Sequence, residues 1–272
     1  MSVKALPSTG VGPVHCRLVG VRQALGEGWR VLRRAPQISL AYGGVFALLG
    51  TLAVWGMQWL RLAPLTLPLF GGFLLVGPVV LAGLTGVAEA VRADRSPDFA
   101  CVVTAWRATP RGVWALASFC VLVFFIAAGD IGTLYSFLVG QPVEGLAKVL
   151  PTAGWLSFHL SAAVSGGFLA AVVFVVTVHA VPLLHARRAS LVGAVVDSVR
   201  ANFDSPLAHM AWAAVLAVCV FSMILAPPLL AVVLPWLAYA GAAFHRAVFP
   251  PEAAGAAVTD ATLVRLRGRL DG

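Results

Sequence analysis

Charged residues are the scarcest class in this sequence. Asp, Glu, Lys and Arg make up 11% of its 272 residues, whereas a soluble domain carries about 25%. Hydrophobic residues make up 60%, and the mean hydropathy is +0.92. So few charged side chains cannot cover the surface of a water-soluble globule. The composition therefore excludes a soluble enzyme, a soluble nucleic-acid-binding domain and a disordered chain, and we expect no nucleic-acid partner.

Cysteine is also scarce, and catalytic motifs are missing. The four cysteines are scattered, without the spacing of a CxxC pair or of a metal site. The sequence lacks the glycine-rich phosphate-binding loops, the HExxH motif of zinc proteases and the GxSxG motif of serine hydrolases. We therefore predict that the protein is not an enzyme and has no cofactor, no catalytic residue and no metal ligand.

Long uncharged segments are what the sequence has instead. A helix of about 20 apolar residues crosses a hydrocarbon core of about 30 Å. The segment 205–244 is about twice that long, and Pro227-Pro228 divides it because proline cannot continue a helix. The sequence therefore predicts six membrane-spanning helices, at residues 38–60, 62–88, 112–140 and 155–184 and in the two halves of 205–244.

Basic residues concentrate on one side of these spans. Of the 19 Lys and Arg residues, 17 precede the first span, lie between residues 92 and 111 or 187 and 200, or follow the last span. Only Arg61 and Lys148 fall on the other side. Because cytoplasmic loops are enriched in Lys and Arg, we expect both termini in the cytoplasm and a multi-pass protein of a bacterial inner membrane.

A pattern ahead of the spans occurs three times, at residues 21–36, 96–110 and 190–206. Each copy is a short amphipathic segment that ends in a bulky apolar residue and an arginine and then meets a proline. Asp98 and Ser190 are suitable residues to begin such helices. The fold class we predict is all-α, with six transmembrane helices as three hairpins, each preceded by a cytoplasmic amphipathic interfacial helix.

Arginine and tryptophan side chains on these interfacial helices are expected to contact a lipid bilayer with anionic headgroups. The predicted lipid-contacting residues are Trp29, Arg30, Arg33, Arg34, Trp106, Arg107 and Arg200. The six-helix domain with its interfacial helices is expected over residues 17–249. Small, polar and proline-containing composition predicts a flexible tail at 1–16 and a flexible basic tail at 250–272.

Asp130 is the acidic residue that lies well inside a predicted span. An intramembrane carboxylate is costly and often functional. His159 lies near the outer end of the next span, at a similar depth in an antiparallel arrangement. The two form a candidate intramembrane polar pair that handles protons or cations. The alternative, which we favour, is a structural polar contact near the outer interface.

Four other histidines fall near the cytoplasmic ends of the last three spans. Histidine is a common metal ligand and titrates near neutral pH. One interpretation is a cluster of His179, His209 and His245; the favoured one is that these residues and His185 meet lipid headgroups. Paired glycines within three spans favour close helix packing over local breaks. These pairs are Gly43-Gly44, Gly71-Gly72 and Gly166-Gly167.

Several motifs resemble a bacterial integral membrane family of unknown function, the domain of unknown function 2189. The matching segments are Gly28-Trp29-Arg30 with Pro36 and Ser39-Leu40-Ala41-Tyr42-Gly43, then Phe73-Leu74-Leu75-Val76-Gly77-Pro78, Ala105-Trp106-Arg107 and Ser198-Val199-Arg200. The resemblance covers about residues 20 to 250. It implies a six-helix inner-membrane protein with no established activity.

The same resemblance bears on partners and cofactors. Some members of the family carry a label that links them to cytochrome c oxidase, which implies a respiratory complex as one possible partner. The last helix of the family ends with two histidines and an aromatic residue before an arginine. This chain has Tyr239, Ala243 and His245 at those positions, and only Arg246 fits. This departure argues against a metal or haem role.

Two functions of different classes follow from these features. The first is a non-catalytic accessory, assembly or scaffold component of a membrane complex, which binds the bilayer and other membrane-complex subunits. The alternative is a small-solute or ion transporter that uses Asp130 and also His159. Three repeated hairpins are not the two-fold inverted arrangement usual in transporters, which favours the first function.

Overall fold

The computed structural model describes residues 13–60, 77–138 and 153–250. Within these ranges all regular structure is helical, which confirms the all-α class. The helices are α1 (Leu18–Arg34), α2 (Pro36–Trp59), α3 (Gly77–Arg92), α4 (Phe99–Arg107), α5 (Arg111–Leu138), α6 (Ala153–Thr177), α7 (Ala180–His185), α8 (Leu191–Asp204), α9 (Pro206–Leu225) and α10 (Leu230–Val248), with a 3₁₀ turn at Pro227–Leu229.

Five helical segments in the described ranges are long and apolar enough to cross a membrane. They are Pro36–Trp59, Arg111–Leu138, Leu156–His185, Pro206–Leu225 and Pro227–Val248. The remaining predicted span, residues 62–88, lies partly outside the described residues, and α3 contains its second half. A multi-pass membrane protein is therefore supported, whereas the number of six spans and the three-hairpin arrangement are not confirmed.

Proline sets two of the observed breaks. The turn at Pro227–Leu229 separates α9 from α10, as the sequence predicts. The fourth span is also broken, between α6 and α7, where Pro182 marks a potential kink in the sequence. Pro182 has no amide hydrogen for the carbonyl of Val178, and its ring crowds that carbonyl, so the helix cannot continue regularly through this point. His179 lies in this break.

Two of the predicted repeats share one backbone geometry. Ala35 joins α1 to α2 with φ −132° and ψ 54°, and Ser205 joins α8 to α9 with φ −137° and ψ 59°. In each joint the amide bonds the carbonyl four residues earlier, at 3.1 and 3.2 Å respectively, and a proline follows. Buried and exposed positions also alternate identically over residues 31–40 and 201–210.

The second repeat in chain order, α4 with α5, has a longer joint than the first and third repeats. Asp98 caps α4 by accepting a hydrogen bond from the Cys101 amide at 2.9 Å, and Ser190 caps α8 through the Gly193 amide at 3.2 Å. Both predicted helix starts are confirmed. Three residues rather than one separate α4 from α5.

The amphipathic helices pack on membrane helices of another repeat. α1 and α2 pack on α10, α8 packs on α6 and α7, and α4 packs on α3. The apolar face of α1 is therefore covered by protein, with Val21 and Leu32 each 5% exposed. The expectation that this face enters the lipid interface is wrong for these two residues, whereas Leu18 and Trp29 of the same face stay exposed.

Glycine permits the closest of these contacts. A Cβ added at Gly28 of α1 would lie 2.6 Å from the backbone nitrogen of Ala240 in α10. A Cβ at Gly43 of α2 would collide with the carbonyl oxygen of Ala231. Close packing is thus confirmed for Gly43, whereas Gly44 faces open space. Gly166-Gly167 also faces open space, and Gly71-Gly72 lies outside the described residues.

The segment before α1 is bound to the helical body. The Val14 amide donates to the Val248 carbonyl at 2.9 Å, and the Cys16 amide donates to Ser205 Oγ at 2.9 Å. His15 Nδ1 donates to a backbone carbonyl of α8 at 2.7 Å. Residues 13–16, which the sequence assigns to a flexible tail, are therefore held by both α8–α9 and α10. The rest of that tail and residues 251–272 lie outside the described residues.

Candidate functional site

Three histidines from different membrane segments meet in the interior of the protein. His179 lies in the break between α6 and α7, His209 is in the first turn of α9, and His245 is near the end of α10. Their exposed fractions are 0%, 2% and 7%. The expectation that these three side chains meet lipid headgroups is therefore wrong. His185 is half-buried, and its Nε2 lies 3.3 Å from Thr85 Oγ1 of α3.

The three rings form one chain of hydrogen bonds. His179 Nε2 lies 2.8 Å from His209 Nε2, and His179 Nδ1 lies 3.3 Å from His245 Nδ1. His209 Nδ1 lies 2.8 Å from the backbone oxygen of Ser205. The chain therefore runs from α10 through the break in the fourth span to the joint between α8 and α9.

Neutral rings leave one arrangement of protons in this chain. A carbonyl oxygen only accepts, so His209 carries its proton on Nδ1 and accepts on Nε2. His179 then donates from Nε2 and accepts on Nδ1, and His245 donates from Nδ1. All three donors point the same way, towards Ser205. We refer to this set of His179, His209 and His245 as the histidine chain.

This geometry does not suit a single metal ion. His179 directs its two ring nitrogens at different neighbours, and the lone pairs of one imidazole diverge. The three rings therefore cannot ligate one ion together. Within the described ranges, no group of three or more His, Cys, Asp or Glu side chains is placed to hold a metal.

Aromatic rings surround the histidine chain. Phe244 lies 5.6 Å from His179 and 5.3 Å from His209, measured between ring centroids. Trp212 stacks on Phe244 at 5.2 Å, and Phe249 stacks on His245 at 5.3 Å, both measured between ring centroids. These rings exclude water from a polar group, which strengthens its internal hydrogen bonds and raises the penalty for any unpaired one.

Polar residues of α8 satisfy the backbone groups that the break in the fourth span leaves free. Ser198 Oγ accepts from the His179 amide at 3.2 Å and donates to the Val175 carbonyl at 2.8 Å. Asn202 Nδ2 lies 3.5 Å from the same Val175 carbonyl and also donates to the Ser198 carbonyl of its own helix at 2.8 Å. The buried polar face of α8 thus fixes the backbone that carries His179. The sequence predicted an amphipathic helix at the lipid interface here and did not indicate that its side with Ser198 and Asn202 packs on protein.

A simpler pair occupies the matching position in the first repeat. Ser39 follows Ala35 by four residues, as His209 follows Ser205. Ser39 Oγ lies 2.7 Å from the hydroxyl of Tyr239 on α10, and the two residues are 0% and 1% exposed. The sequence repeat at an offset of 170 residues is the signal that relates the two positions.

An ion-pair network that the sequence did not indicate joins α1, α3 and α10. Glu27 of α1 contacts Arg246 of α10 and lies 3.7 Å from Arg92 of α3. Burial is the main cause that lowers the pKa of Arg92. The network fixes α1 on the same end of the bundle as the histidine chain.

Asp130 and His159 lie on neighbouring antiparallel helices. Asp130 is half-buried on α5, and His159 is exposed on α6. Phe158 contacts Tyr135 of α5 at 5.7 Å between ring centroids, so His159 lies near the level of Tyr135. Asp130 lies five residues away from that level, about 7.5 Å along the helix. The polar pair stays a prediction.

The predicted lipid-contacting side chains are on the protein surface. Trp29 is 45% exposed and Trp106 is 50% exposed. Trp29 contacts Trp236 edge-on at 6.4 Å, and Trp106 contacts Trp114 edge-on at 6.3 Å. The arginines of this set are all exposed, and they are Arg30, Arg33, Arg34, Arg107 and Arg200. Their contact with lipid stays a prediction.

Comparison with known families identifies part of the chain. Residues 65–185 match the family described as "Predicted integral membrane protein (DUF2189)". This confirms the resemblance over α3 to α7, a segment that contains Asp130, His159 and His179. No curated protein and no solved structure matches the chain. The chain is thus an integral membrane protein, and the family description names no activity.

Proposed function

We propose that the protein is a non-catalytic accessory, assembly or scaffold component of a membrane complex. We place it in a bacterial inner membrane with both termini in the cytoplasm, on the distribution of its Lys and Arg residues. The observation that carries the role is a hairpin that has a small core of its own and exposes large apolar side chains around a half-buried carboxylate. That hairpin, α5 with α6, is the part that we assign to other subunits.

The hairpin has its own small core. Cys120, Val123 and Val173 form a cluster separate from the main core, which joins α1, α2, α9 and α10 and also includes Val113 and Leu116 of α5. Other positions of the two helices expose large apolar side chains to the surroundings. The most exposed are Leu122, Phe125, Ile126 and Phe137 on α5 and Leu156, Leu160, Val164 and Phe168 on α6.

Apolar exposure alone is explained by lipid, because lipid tails are as apolar as these side chains. The polar group within the hairpin favours another protein subunit, rather than lipid alone, as the neighbour of this surface. Asp130 is half-buried, and a carboxylate at membrane depth is stabilised when it is paired or hydrogen-bonded. A helix of another subunit that carries a hydroxyl or a basic side chain supplies that partner, which lipid tails do not.

Mass spectrometry after mild extraction tests this function. The protein is extracted at its native expression level in mild detergent, and the co-purifying proteins are quantified. A stoichiometric membrane subunit is the expected result. Purification of the protein alone, together with solute movement when it is reconstituted in liposomes, would overturn the proposal.

A pair of exposed phenylalanines provides the matched variants. Phe125 on α5 is 66% exposed, and Phe221 on α9 is 58% exposed. We expect Phe125→Ala to reduce the amount of co-purifying subunit and Phe221→Ala to leave it unchanged. Equal loss in both variants would show that the hairpin is not the contact surface.

A transporter remains the second candidate, because two polar side chains, Ser165 and Asp130, lie at a similar depth in the hairpin. Ser165 Oγ of α6 is buried without a hydrogen-bond partner among the described residues. It lies seven residues from Phe158, and Asp130 lies five residues from Tyr135, so the two side chains fall within about 3 Å of the same level. Transport of a small cation that is abolished by Asp130→Asn would favour this candidate. Unchanged transport in that variant would remove Asp130 from it.

A further inference from the structure

The internal repeat of the protein allows the histidine chain at the third joint to be compared with the matching position at the first joint. At the first joint, one hydroxyl pair, Ser39 with Tyr239, links the start of α2 to α10. At the third joint, His209 at the matching position links α9 to the break in the fourth span through His179. At the first joint, a single hydrogen bond between two neutral hydroxyl groups is therefore sufficient to link the helices. The third joint uses three titratable rings where one such bond would be enough for the structure.

One ring nitrogen of the histidine chain remains available. His179 and His209 use both nitrogens in hydrogen bonds, and His245 uses only Nδ1. His245 Nε2 makes no hydrogen bond to any residue in the described ranges. His245 is also the most exposed of the three, at 7%. A proton from water therefore enters the chain at His245 Nε2.

The donors of the chain are aligned to pass that proton inward. When Nε2 of His245 gains a proton, its Nδ1 proton can move to His179 Nδ1. The Nε2 proton of His179 can then move to His209 Nε2. The charge then rests on His209, whose Nδ1 donates to the Ser205 carbonyl. No covalent bond between heavy atoms changes, and the carbonyl ends the path because it cannot release a proton.

The residues around the histidine chain provide few negative charges to stabilise a protonated ring. The packed elements carry charged and titratable side chains. They include His15, Cys16 and Arg17 before α1, Arg22, Glu27, Arg30, Arg33 and Arg34 on α1, His185 at the end of α7, Arg187 and Arg188 after α7, Asp197, Arg200 and Asp204 on α8, Cys219 on α9 and Tyr239 and Arg246 on α10. Arg188 and Arg246 both place positive charge near His245. Glu27 contacts Arg246, and Asp204 is exposed.

No carboxylate of the described ranges therefore hydrogen-bonds to the three rings. A buried charge without a counter-ion is strongly unfavourable, and the structure relaxes by exposing it to water. Separation of the three rings also affects the segment before α1. Ser205, which ends the chain, also accepts the Cys16 amide through its hydroxyl. The segment 13–17 is thus held by the residue to which the chain is anchored.

We propose that the histidine chain is a proton-operated latch. It stays closed while its three rings are neutral, and uptake of a proton at His245 Nε2 opens the contacts that hold α6–α7, α9 and the segment 13–17 together. This device is independent of the accessory role proposed above.

The direction of the pH effect follows from the two states. An exposed histidine takes up a proton near pH 6.5, so the open state gains protons below that pH and the closed state does not. The closed state is therefore fully favoured above this range. Below it, a one-proton opening becomes about tenfold more favourable for each unit of pH.

Nitrogen NMR of the full chain in lipid bilayers, with ¹⁵N-labelled histidine, tests the closed state. At pH 8 we expect protons on Nδ1 of His209 and His245 and on Nε2 of His179, with nitrogen–nitrogen coupling across both hydrogen bonds between rings. A different set of tautomers, or rings that titrate independently as exposed histidines do, would overturn the proposal.

Hydrogen exchange over the same pH range tests the opening. The hydrogen-bonded amides of Val14 and Cys16 are expected to exchange about tenfold faster, relative to their intrinsic rate, for each pH unit below about 6.5. Protection that is independent of pH between 8 and 5 would contradict a latch.

The first repeat supplies the variant that removes the device and keeps the hydrogen bond. His179→Tyr with His209→Ser copies the pair formed by Tyr239 and Ser39, and we expect this double variant to keep residues 13–17 protected down to pH 5. Tyr239→Phe is the matched control and is expected to retain the pH dependence of the original chain. A pH-dependent step that survives in the double variant would overturn the proposal. If the double variant does not fold, the tautomers and the exchange of the original chain decide the question.

Discussion

The two joints with the same backbone differ in what their side chains do. At the first, α1 and α2 press against α10 through Gly28 and Gly43, and a single hydroxyl pair completes the contact. At the third, α8 and α9 meet a membrane helix that is broken at His179. Ser198 and Asn202 contact the backbone freed by the break, and the histidine rings hydrogen-bond to each other. One joint relies on close backbone packing and the other on a polar network. The same local geometry therefore supports two kinds of interior.

Among substitutions at the two joints, we expect the largest loss in the free energy of unfolding at Gly43. Gly43→Val places side-chain atoms against the carbonyl of Ala231, and overpacking of this kind costs about 3 kcal/mol. The adjacent Gly44 faces open space, so Gly44→Val is the control and should change the free energy of unfolding by less than about 0.5 kcal/mol. Unfolding in mixed detergent micelles measures both. Equal effects would mean that the close approach to α10 does not stabilise the first joint.

The polar joint is expected to be sensitive to loss of one ring. His209→Ala leaves the Nε2 proton of His179 buried and unpaired, which costs about 2 kcal/mol in the free energy of unfolding. The measurement is the same detergent titration at pH 8. A change below about 0.5 kcal/mol would show that water or another group replaces the ring at that position.

The hydroxyl pair of the first joint is expected to contribute less. Tyr239→Phe leaves the ring of this residue packed and removes one hydrogen bond to Ser39, at about 1 kcal/mol. Comparison with His209→Ala under one set of conditions ranks the two joints. A larger loss in Tyr239→Phe would reverse the ranking proposed here.

The smallest effect concerns the segment that crosses the polar joint. Burial raises the pKa of the Cys16 thiol, so the reactive thiolate is scarcer at pH 8 than for an exposed cysteine, and labelling by a maleimide is slow. Ser205→Ala removes the acceptor of the Cys16 amide, and we expect labelling several-fold faster. A labelling rate that does not change would show that Ser205 does not hold this segment.

Much of the helix order could be predicted from the sequence. Apolar length predicts the spans that contain α2, α5, α9 and α10, and Pro227 with Pro228 predicts the division of the last two. The starts of α4 and α8 follow from Asp98 and Ser190, because side-chain caps depend on neighbours three residues away. These features are local, so the sequence carries them.

The candidate site was predicted less well, and the reason lies in distance along the chain. The sequence separates His179 from His245 by 66 residues and from His209 by 30, and no local pattern specifies which faces meet. A histidine near a span end is compatible with lipid headgroups or with protein. The sequence predicted α8 at the lipid interface and did not indicate that Ser198 and Asn202 face protein, because an amphipathic helix packs on protein and on lipid with the same periodicity.

The sequence by itself determined that the protein lies in a membrane and where most of its helical segments begin and end. Low charge and long apolar runs require a membrane, because the backbone polar groups of each span must be satisfied within a helix. Only the tertiary structure decided the partners of each helix face. Side chains from the first, fourth, fifth and sixth predicted spans meet through packing, which depends on three-dimensional complementarity and not on composition. The histidine chain exists because the fourth span breaks between α6 and α7, ahead of Pro182, and His179 in this break contacts two other helices.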